Sequence, residues 1–587
     1  GASWSLDWWI GAEDRWHHPA VEAAVRQHTL DDAPVVETAM RVPGGDVVHR
    51  AYGVRATSRA SDGELWDDSA VVVEVENSTA VPVALALVVR PLTLAGAGRV
   101  GSVQVEGSVV RVDGRVAAVV SRPVARLAHG EVGRVAGPLA DGRDDGPEVG
   151  ITPVGDGRLE VAMVVPLPHT AVVRVLLPRV VPPARRRFFG GNERPVEPGS
   201  TFEAPEAEAI SKGWTAHTRD VPRLDLGEPL LDRLAVAAPR SLVLGSGDDV
   251  LDRAERAVQV TELLARCGLT EPLGPLARAM VDEQRLGGSV RLEDGGDATA
   301  ALLFAAAPLL ATGSEVWEEL LLGPVAKSVH LVRKGGALDH PAQRRTGAAA
   351  LALVAPALRV IGQPEVAEDA EAAAAELLAR PQSDVDVDVA GDLLAQVAAL
   401  RAALAAGDDS VVADLVDLAR LGEPGSVGDR VDDQGTPDGS LGYDAGVVAA
   451  RASAALDLGM LDGAEGPVLL PAWPDAWWGR AVEVHGVVTR FGRASFGLRW
   501  HGARPALLWE VLPGPGVDAD RVTPVLTCPG LDPTWRGEGW SGEALLGPVE
   551  PPEGLVEQTP APPPAASSLT PTRIDLPTPP SEGQSFS

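Results

Sequence analysis

The chain has 587 residues, a length that normally forms about four domains. Hydrophobic residues make up 45% of it and charged residues 23%, which excludes a disordered chain and a coiled-coil rod. The net charge of −31 argues against nucleic acid and anionic membranes as partners. Only two cysteines, no apolar run near 20 residues and no signal-like start lead us to expect a cytoplasmic protein.

The N-terminal third predicts a β domain over residues 1–209. Between 69 and about 178 the chain contains short, valine-rich runs separated by Gly, Asp, Asn or Pro. Before them, Pro43-Gly44-Gly45-Asp46 is a turn signal between two apolar runs and predicts a hairpin. This number of strands is sufficient for a two-layer β-sandwich.

Beyond a linker at 210–227, the hydrophobic period changes from two residues to about 3.6, which predicts about ten helices within 228–461. Short loops make successive helices antiparallel, so this region should consist of stacked helical hairpins. The predicted helices lie near 228–243, 247–267, 272–286, 297–311, 315–334, 341–361, 364–379, 391–406, 408–421 and 444–459.

Strand patterns return after Gly466-Pro467 and predict a small C-terminal β domain over 462–548. In the run from Arg493 to Trp500, polar and apolar residues alternate, as in a half-buried antiparallel strand. The composition then shifts to Pro, Thr, Ser and Glu. We therefore expect residues 549–587 to be a disordered tail, which could recruit a protein partner.

The sequence lacks the common signatures of nucleotide and metal chemistry. It has no phosphate-binding loop that ends in Lys-Ser/Thr, no paired Cys-x-x-Cys motifs and no His-Glu-x-x-His. We expect neither a metal nor a cofactor. The acidic loops between the helices remain, and glycoside hydrolysis is a chemistry that needs two carboxylates on opposite sides of a bond.

Three acidic loops are candidates for this chemistry. In the loop 293–297 two glycines free the backbone and three carboxylates gather before a helix, although Asp297 could simply cap that helix. In the turn Leu338-Asp339-His340-Pro341 a buried Asp339 could act as an acid, and ordinary turn chemistry is the alternative. Asp432 and Asp433 lie in a long polar loop and suit a base that holds water, although the loop could be no more than an exposed acidic segment.

The segment Leu470-Pro471-Ala472-Trp473-Pro474-Asp475-Ala476-Trp477 resembles the Leu-Pro-x-x-Pro-x-x-Trp entry to the C-terminal β domain of six-hairpin glycosidases. The stretch 284–289, followed by Asp297, is similar to the Gln-x-x-Gly stretch of that family and to the Asp that opens its next inner helix. The order of the domains also resembles glucoamylase-like and glycoside-phosphorylase-like members, up to about residue 548. The resemblance implies an N-terminal β-sandwich, a central α/α toroid over 228–461 and a C-terminal β domain.

The resemblance also implies an activity, the inverting hydrolysis of a glucosidic bond in an intracellular α-glucan or oligosaccharide. Asp339 would be the acid, and Asp433 or Asp432 would be the base that activates water. Asp294 or Asp297 would hold sugar hydroxyls. Carbohydrate is therefore the expected partner.

The chain departs from the family pattern in ways that keep an alternative open. The glucoamylase-like acid lies in a Trp-Glu dipeptide, which the loop 335–340 lacks, and the Trp317-Glu318 dipeptide falls inside a predicted helix. The family base is usually Glu rather than Asp. About ten helices are predicted where a full toroid has twelve. The alternative is a non-catalytic carbohydrate-binding or scaffold protein that retains the glycosidase fold.

The N-terminal segment Trp4-Ser5-Leu6-Asp7-Trp8-Trp9 contains three tryptophans, which would expose a large apolar patch if they lay in water. We expect it to be buried. Contact with Asp297 or Asp433 would make Trp8 or Trp9 a platform for sugar, whereas contact with the strands alone would make them part of a core. Nothing in the spacing directs either ring to a cavity, which favours the core.

Overall fold

A computed structural model of the chain describes most of its length. The described residues are 4–59, 65–93, 96–142, 150–151, 158–178, 205–245, 250–338, 341–379, 393–405, 407–408, 410–420 and 444–552. Asp339, Asp432, Asp433 and most of the predicted tail therefore lie outside the described residues. The described chain has antiparallel sheets towards both ends and helices in the centre.

The N-terminal region forms two large antiparallel sheets. One has the strand order β13, β15, β7, β1, β2, and the other has the order β14, β10, β11, β12, β16, β6, β5, β4, β3. The elements are β1 (Ser5–Gly11), β2 (Trp16–His17), β3 (Val25–Thr29), β4 (Val35–Val42), β5 (Gly45–Arg59), β6 (Leu65–Asn77), β7 (Val83–Arg90), β8 (Leu92–Thr93), β9 (Gly96–Ala97), β10 (Val103–Glu106), β11 (Val109–Val112), β12 (Arg115–Val120), β13 (Arg126–Glu131), α1 (Ala136–Ala140), β14 (Gly150–Ile151), β15 (Leu159–Leu167) and β16 (Val172–Pro178).

Strand β6 shows why valine-rich runs form these sheets. Side chains alternate between the two faces of a strand, and both faces of β6 are buried. Val73 and Val75 share a core with Leu85 and Leu87 of the other sheet. The opposite face, which includes Val72, packs with residues of the helical region. The predicted hairpin is present between β4 and β5, where Val42 pairs with Gly45.

The helical region follows. Its elements are α2 (Ala207–His217), β17 (Arg223–Asp225), α3 (Pro229–Gly245), α4 (Ala254–Arg266), α5 (Leu273–Asp282), α6 (Thr299–Ala311), α7 (Glu315–Arg333), α8 (Pro341–Val360), α9 (Pro364–Ala379), α10 (Leu393–Ala405), α11 (Val411–Arg420) and α12 (Ala445–Gly459). The predicted linker, 210–227, thus contains most of α2 and all of β17.

From α3 onwards, alternate helices pack side by side. In the even set (α4, α6, α8, α10 and α12), α4 contacts α12 and α6, α6 contacts α8, and α10 contacts α12. In the odd set (α3, α5, α7, α9 and α11), α5 contacts α7, α7 contacts α9, and α3 contacts α11. Helices α6 and α12 are apolar and buried on nearly every side, as expected for helices enclosed by others.

Four helices of the even set, α4, α6, α8 and α12, run parallel to one another. Helices α4 and α12 are joined by an ion pair near their first residues, Arg256 with Asp444, and by another near their last residues, Arg266 with Asp457. The carboxylate of Asp294, which precedes α6, accepts a hydrogen bond from the backbone of Ala254 at the start of α4. At the opposite end, a Cβ atom on Gly313 after α6 would lie 3.9 Å from Val360 Cγ1 at the end of α8. The first turns of α4, α6, α8 and α12 therefore face the same end of the helical region.

The C-terminal region forms two smaller sheets. Their strands are β18 (Met460–Asp462), β19 (Pro467–Leu469), β20 (Val482–Thr489), β21 (Gly492–His501), β22 (Arg504–Pro513), β23 (Val525–Cys528), β24 (Asp532–Glu538) and β25 (Ser541–Leu545). One sheet has the strand order β17, β20, β21, β22, β25, and the other has the order β18, β19, β23, β24. Strand β17, which precedes all helices of the odd and even sets, pairs with β20 and so joins the two parts of the chain.

The segment 470–477 lies where α12, α3 and the C-terminal sheets meet. Leu470 donates its backbone N–H to the carbonyl of Gly459, the last residue of α12. The indole of Trp477 is buried and donates to Glu228 Oε1, just before α3, at 3.0 Å. Trp473 packs edge-on against Trp477, with 5.6 Å between the ring centroids. The motif that carried the family resemblance therefore fixes the C-terminal sheets to the helices.

The two cysteines, Cys267 and Cys528, are both buried and form no disulfide. Burial raises the pKa of each thiol to about 12, so neither is a reactive thiolate at neutral pH. Within the described part of the chain, none of the helices combines the length and the apolar character needed to cross a bilayer.

Candidate functional site

The first turns of the even set mark the candidate site, because the predicted acidic loops enter these helices. Asp294 and Asp297 precede α6, Asp339 precedes α8 by two residues, and Asp432 and Asp433 precede α12. Of these five residues, the structure describes Asp294 and Asp297. The positions of Asp339, Asp432 and Asp433 lie outside the described residues.

Asp294 and Asp297 both bind backbone N–H groups. Asp294 accepts from the N–H of Gly296 at 2.9 Å and from the N–H of Ala254 at 3.0 Å. Asp297 is 8% exposed and accepts from the N–H and the hydroxyl of Thr299, the first residue of α6, through Oδ1. Asp297 thus accepts the first backbone N–H of α6, although Ala298 is the N-cap residue of that helix. The roles of Asp297 and Asp294 with sugar hydroxyls stay predictions.

The loop between α5 and α6 is held in place by Gln284. Its side-chain amide donates to the carbonyls of Gly288 and Pro324, at 3.1 and 2.9 Å, and lies 3.0 Å from the hydroxyl of Ser328. Because Pro324 and Ser328 belong to α7, the loop is anchored to that helix. The stretch 284–289 therefore anchors the loop that carries Asp294 and Asp297.

A buried network of charges joins three helices of the even set. The guanidinium of Arg401 on α10 binds Asp457 on α12 at 2.6 Å and Glu262 on α4 at 2.5 Å. Arg266 binds the same Asp457 at 2.7 Å. Burial by itself would raise the pKa of Asp457, but Arg401 and Arg266 outweigh it and hold that pKa below its usual value. Asp457 is therefore an ionised partner of two arginines and not a proton donor.

Two further arginines of the even set have a different environment. The residue Arg451 on α12 is 8% exposed, and its Nε and Nη2 atoms are buried without a hydrogen-bond partner among the described residues. Arg345, in the first two turns of α8, is accessible to solvent. The protein around Arg345 nevertheless removes enough water to lower its pKa.

Leu338, directly before Asp339, has an unusual backbone conformation. Its φ of +56° is left-handed, which a branched side chain rarely adopts, and the side chain is buried. Leu338 fills the space beside Gly347 of α8, where a Cβ atom would lie 2.8 Å from Leu338 Cδ1. Such strain persists only where surrounding packing enforces it, so the conformation of Leu338 is held by its contact with α8.

Trp8 and Trp9 lie in the N-terminal β region. Trp8 is 8% exposed, contributes to the core that both sheets share, and stacks on His49 with 5.0 Å between the ring centroids. Trp9 is 4% exposed and packs on the opposite face of β1 with Ala86 and Ala162. The described residues around these two side chains are those of a core, the role that the spacing favours.

Trp317 and Glu318 lie in the first turn of α7, inside a helix as the sequence predicts. Trp317 lines a surface hollow of about 400 Å³, and the guanidinium carbon of Arg278 lies 5.0 Å from the centroid of its ring. Thr270 and Thr312 line the same hollow, and they follow α4 and α6 in the chain. The hollow is therefore at the opposite end of the even helices from the acidic loops.

Sequence reasoning missed the buried charges of the even set. The sequence around Arg451 is Ala449-Ala450-Arg451-Ala452, a single charge in an otherwise apolar helix. A helix that is apolar on all sides is a buried one, so a lone arginine in it has to find a partner inside the protein. That pattern was the available signal for Arg451, and it applies equally to Arg401 in α10.

Comparisons with known proteins find similarity in structure alone. No protein-family model matches the sequence, and no curated protein matches it. A bacterial glucoamylase bound to acarbose has 9% identity and a TM-score of 0.35, with 63% of this chain and 60% of that chain covered. An α-L-rhamnosidase of Streptomyces avermitilis bound to L-rhamnose has 13% identity and a TM-score of 0.33, with coverage of 79% and 51%.

A family GH92 inverting mannosidase of Bacteroides thetaiotaomicron has 10% identity and a TM-score of 0.30, with coverage of 64% and 55%. The chain therefore spans between 51% and 60% of the length of these three proteins. All three have glycosidase-type folds, but similarity of this degree does not assign the chain to a family.

Proposed function

We propose that the chain is an inverting glycoside hydrolase that acts on an intracellular α-glucan or oligosaccharide. Asp339 is the acid, and Asp433 or Asp432 is the base that activates water. The observation that carries the proposal is the parallel packing of the even helices. Since α8 and α12 begin at the same end of the helical region, the chain segments that carry both candidate carboxylates enter from one side.

The proposal includes a finer description of the fold. The even helices form the inner layer and the odd helices the outer layer of an α/α toroid. The two N-terminal sheets form a β-sandwich, whose shared core of residues such as Val75 and Leu87 supports this description. The domains are the predicted ones, except that β17 is assigned to the C-terminal sheet with which it pairs.

Two features at this end of the helices bear on the proposed roles. Packing against α8 holds Leu338, the residue directly before Asp339, in a left-handed conformation. The helix N-termini at this end, together with Arg345, create a positive field. A positive field favours the ionised form of a carboxylate, which is the form that a general base requires. It therefore supports the base, whereas Asp339, as the acid, has to keep its proton against this field.

The activity is tested by incubating the full chain with maltooligosaccharides and trehalose, with and without phosphate. Proton NMR of the first product should show the anomer opposite to that of the substrate, because inversion is a single displacement by water. Phosphate-dependent release of a sugar phosphate would instead assign a phosphorylase. Turnover with retention of configuration would contradict the proposal.

The residues are tested by Asp339→Asn, Asp432→Asn and Asp433→Asn. Loss of a general acid or base lowers kcat by about 10²- to 10⁴-fold, so Asp339→Asn and one of the other two should show that loss. Asp438→Asn is the matched control, because Asp438 follows the same pair in the chain and has no proposed role. Full activity in all of the variants would remove these assignments.

The second candidate is a carbohydrate-binding or scaffold protein that lacks turnover. The specific observation in its favour is that the chain's Trp317-Glu318 dipeptide lies within α7, at the end of the helical region opposite to the acidic loops. A melting temperature that rises with sugar in the absence of product would select the binding protein. Neither stabilisation nor turnover across a broad glycan panel would select a structural role.

A further inference from the structure

Charge is distributed unequally between the two sets of helices. The even set carries seven arginines, at 256, 266, 344, 345, 359, 401 and 451, and three carboxylates, at 255, 262 and 457. The odd set carries twelve carboxylates and six basic residues. Since the whole chain has a net charge of −31, the even set reverses the charge balance of the protein.

Several of these arginines already have partners. Arg266 and Arg401 bind the carboxylates of the buried network, Arg256 binds Asp444, and Arg359 binds Glu371. Arg451 differs, because it is more than nine-tenths buried and two of its three guanidinium nitrogens lack a hydrogen-bond partner among the described residues. Burial lowers the pKa of Arg451, and no described carboxylate offsets this effect.

A buried guanidinium without an anion is strongly unfavourable, because the lost hydration is not replaced. Nε and Nη2 lie on one edge of the guanidinium and form the fork that binds two oxygens of a carboxylate or phosphate. Arg451 lies seven residues after Asp444, so both are on the same side of α12. Asp444 binds α4, and this side of α12 is therefore the one directed towards the other even helices.

We propose that the even set binds a small oxyanion, either inorganic phosphate or the carboxylate of an acidic sugar, and that Arg451 contacts it through Nε and Nη2. Arg345 supplies an accessible positive charge at the end where the even helices begin, and their N-termini add to the field there. The inference goes beyond the proposed function, and it rests on that function only in the choice of an acidic sugar as one probe.

The test measures the melting temperature of the full chain with sodium phosphate, with sodium glucuronate, and with sodium chloride and glucose as controls. A specific anion should raise the melting temperature saturably, by about 2 °C or more, while chloride of equal ionic strength and glucose should not. A response to phosphate identifies phosphate as the ligand, and a response to glucuronate identifies the sugar carboxylate. No response to either overturns the proposal.

Arg451→Met keeps the length of the side chain and removes its charge. Without added anion, its melting temperature should equal or exceed that of the wild type, because the unpaired buried charge has been removed. The response to the anion should be lost, with affinity at least about tenfold weaker. Arg219→Met is the matched control, because the Arg219 side chain is 80% exposed, and it should respond as the wild type does.

Two results with Arg451→Met would overturn the proposal. An unchanged anion response would place the anion away from Arg451. A large fall in melting temperature without added anion would show that a group of the chain itself pairs with Arg451. All of these readouts are independent of turnover, so an enzyme that hydrolyses none of the tested glycans still gives a decisive result on the anion.

Discussion

Arg401 shows how a single residue joins three helices. Its side chain is 16% exposed and lies between Glu262 and Asp457, which are 5% and 6% exposed. Burial alone would lower the pKa of Arg401, but the two carboxylates outweigh this effect and raise it. Arg401 and Asp457 are therefore both held in their charged forms, and the strength of the network depends on every member being present.

Arg401→Met should lower the free energy of unfolding by about 3 kcal/mol, because it removes the close partner of the buried Glu262 carboxylate. Arg266 Nη1 remains, but it lies 3.8 Å from Glu262 Oε1. Urea denaturation followed by circular dichroism measures the loss. The double variant Arg401→Met with Glu262→Leu should recover much of it, since no unpaired carboxylate then remains on α4. Equal stability of the single variant and the wild type would show that the network contributes nothing.

Asp232 predicts a dependence of stability on pH. Burial raises its pKa to about 6, from an ordinary value of 3.8, so the folded state holds the proton more tightly than the unfolded state does. The stabilisation from this proton is complete below about pH 4 and is lost as the pH rises through about 6. Asp232→Asn should therefore stabilise the protein at pH 8, by about 1 kcal/mol after allowance for solvent screening, and have little effect at pH 4.

Melting curves of wild type and Asp232→Asn at both pH values measure this difference. In the wild type, Asp232 Oδ1 accepts a hydrogen bond from the N–H of Leu226 at 2.9 Å. The amide oxygen of the asparagine can accept the same hydrogen bond. Asp220→Asn is the control, because the Asp220 side chain is 73% exposed. A stabilisation that is the same at pH 4 and pH 8 would refute the account of Asp232.

At the scale of elements, the bounds of the helices could be predicted from the sequence, but the elements that they pack against could not. Helices α3 to α12 begin and end within about seven residues of the predicted bounds. The apolar period that marks a helix, and the Gly, Pro and Asp residues that mark its ends, are local features of the sequence. Strand β17 was missed, since its three residues form a strand only by pairing with β20, far away in sequence. The Arg401 network was missed for the same reason: its members come from three separate helices.

The loop between α5 and α6 gives a test at this scale. Gly288 has a φ of +101°, and a Cβ atom there would lie 2.5 Å from the carbonyl oxygen of Lys327 on α7. Gly295 also has a left-handed φ, +75°, but nothing lies within 4 Å of its Cβ position. Gly288→Ala should cost about 2 kcal/mol or more of stability, and Gly295→Ala about 1 kcal/mol, because the second change strains only the backbone.

Urea denaturation of the two glycine variants measures both costs. If Gly288→Ala costs no more than Gly295→Ala, the loop is not held against α7 as the structure indicates. In that case Gln284 would not fix the backbone that carries Asp294 and Asp297. The pair of variants separates the contact with α7 from the preference of glycine for a left-handed conformation.

At the scale of the whole molecule, sheets at both ends are joined through a helical centre. The order of these regions was predictable, because the change of period from 2 to 3.6 and back is visible along the sequence. The proposed closeness of Asp339 and Asp433 was not predictable from local pattern, since the two residues are far apart in the chain. What the described residues add is that α8 and α12, which follow them, begin at the same end of the helical region.

The separation of the Asp339 and Asp433 carboxyl groups tests the central claim most directly. It is best measured in a crystal structure of the full chain with a bound oligosaccharide. We expect Asp339 and either Asp433 or Asp432 to flank one glycosidic bond, with about 6.5 to 9.5 Å between their carboxyl groups, because an inverting enzyme must place a water molecule between base and sugar. Carboxyl groups well beyond that separation, with no other acidic pair across the sugar, would contradict it.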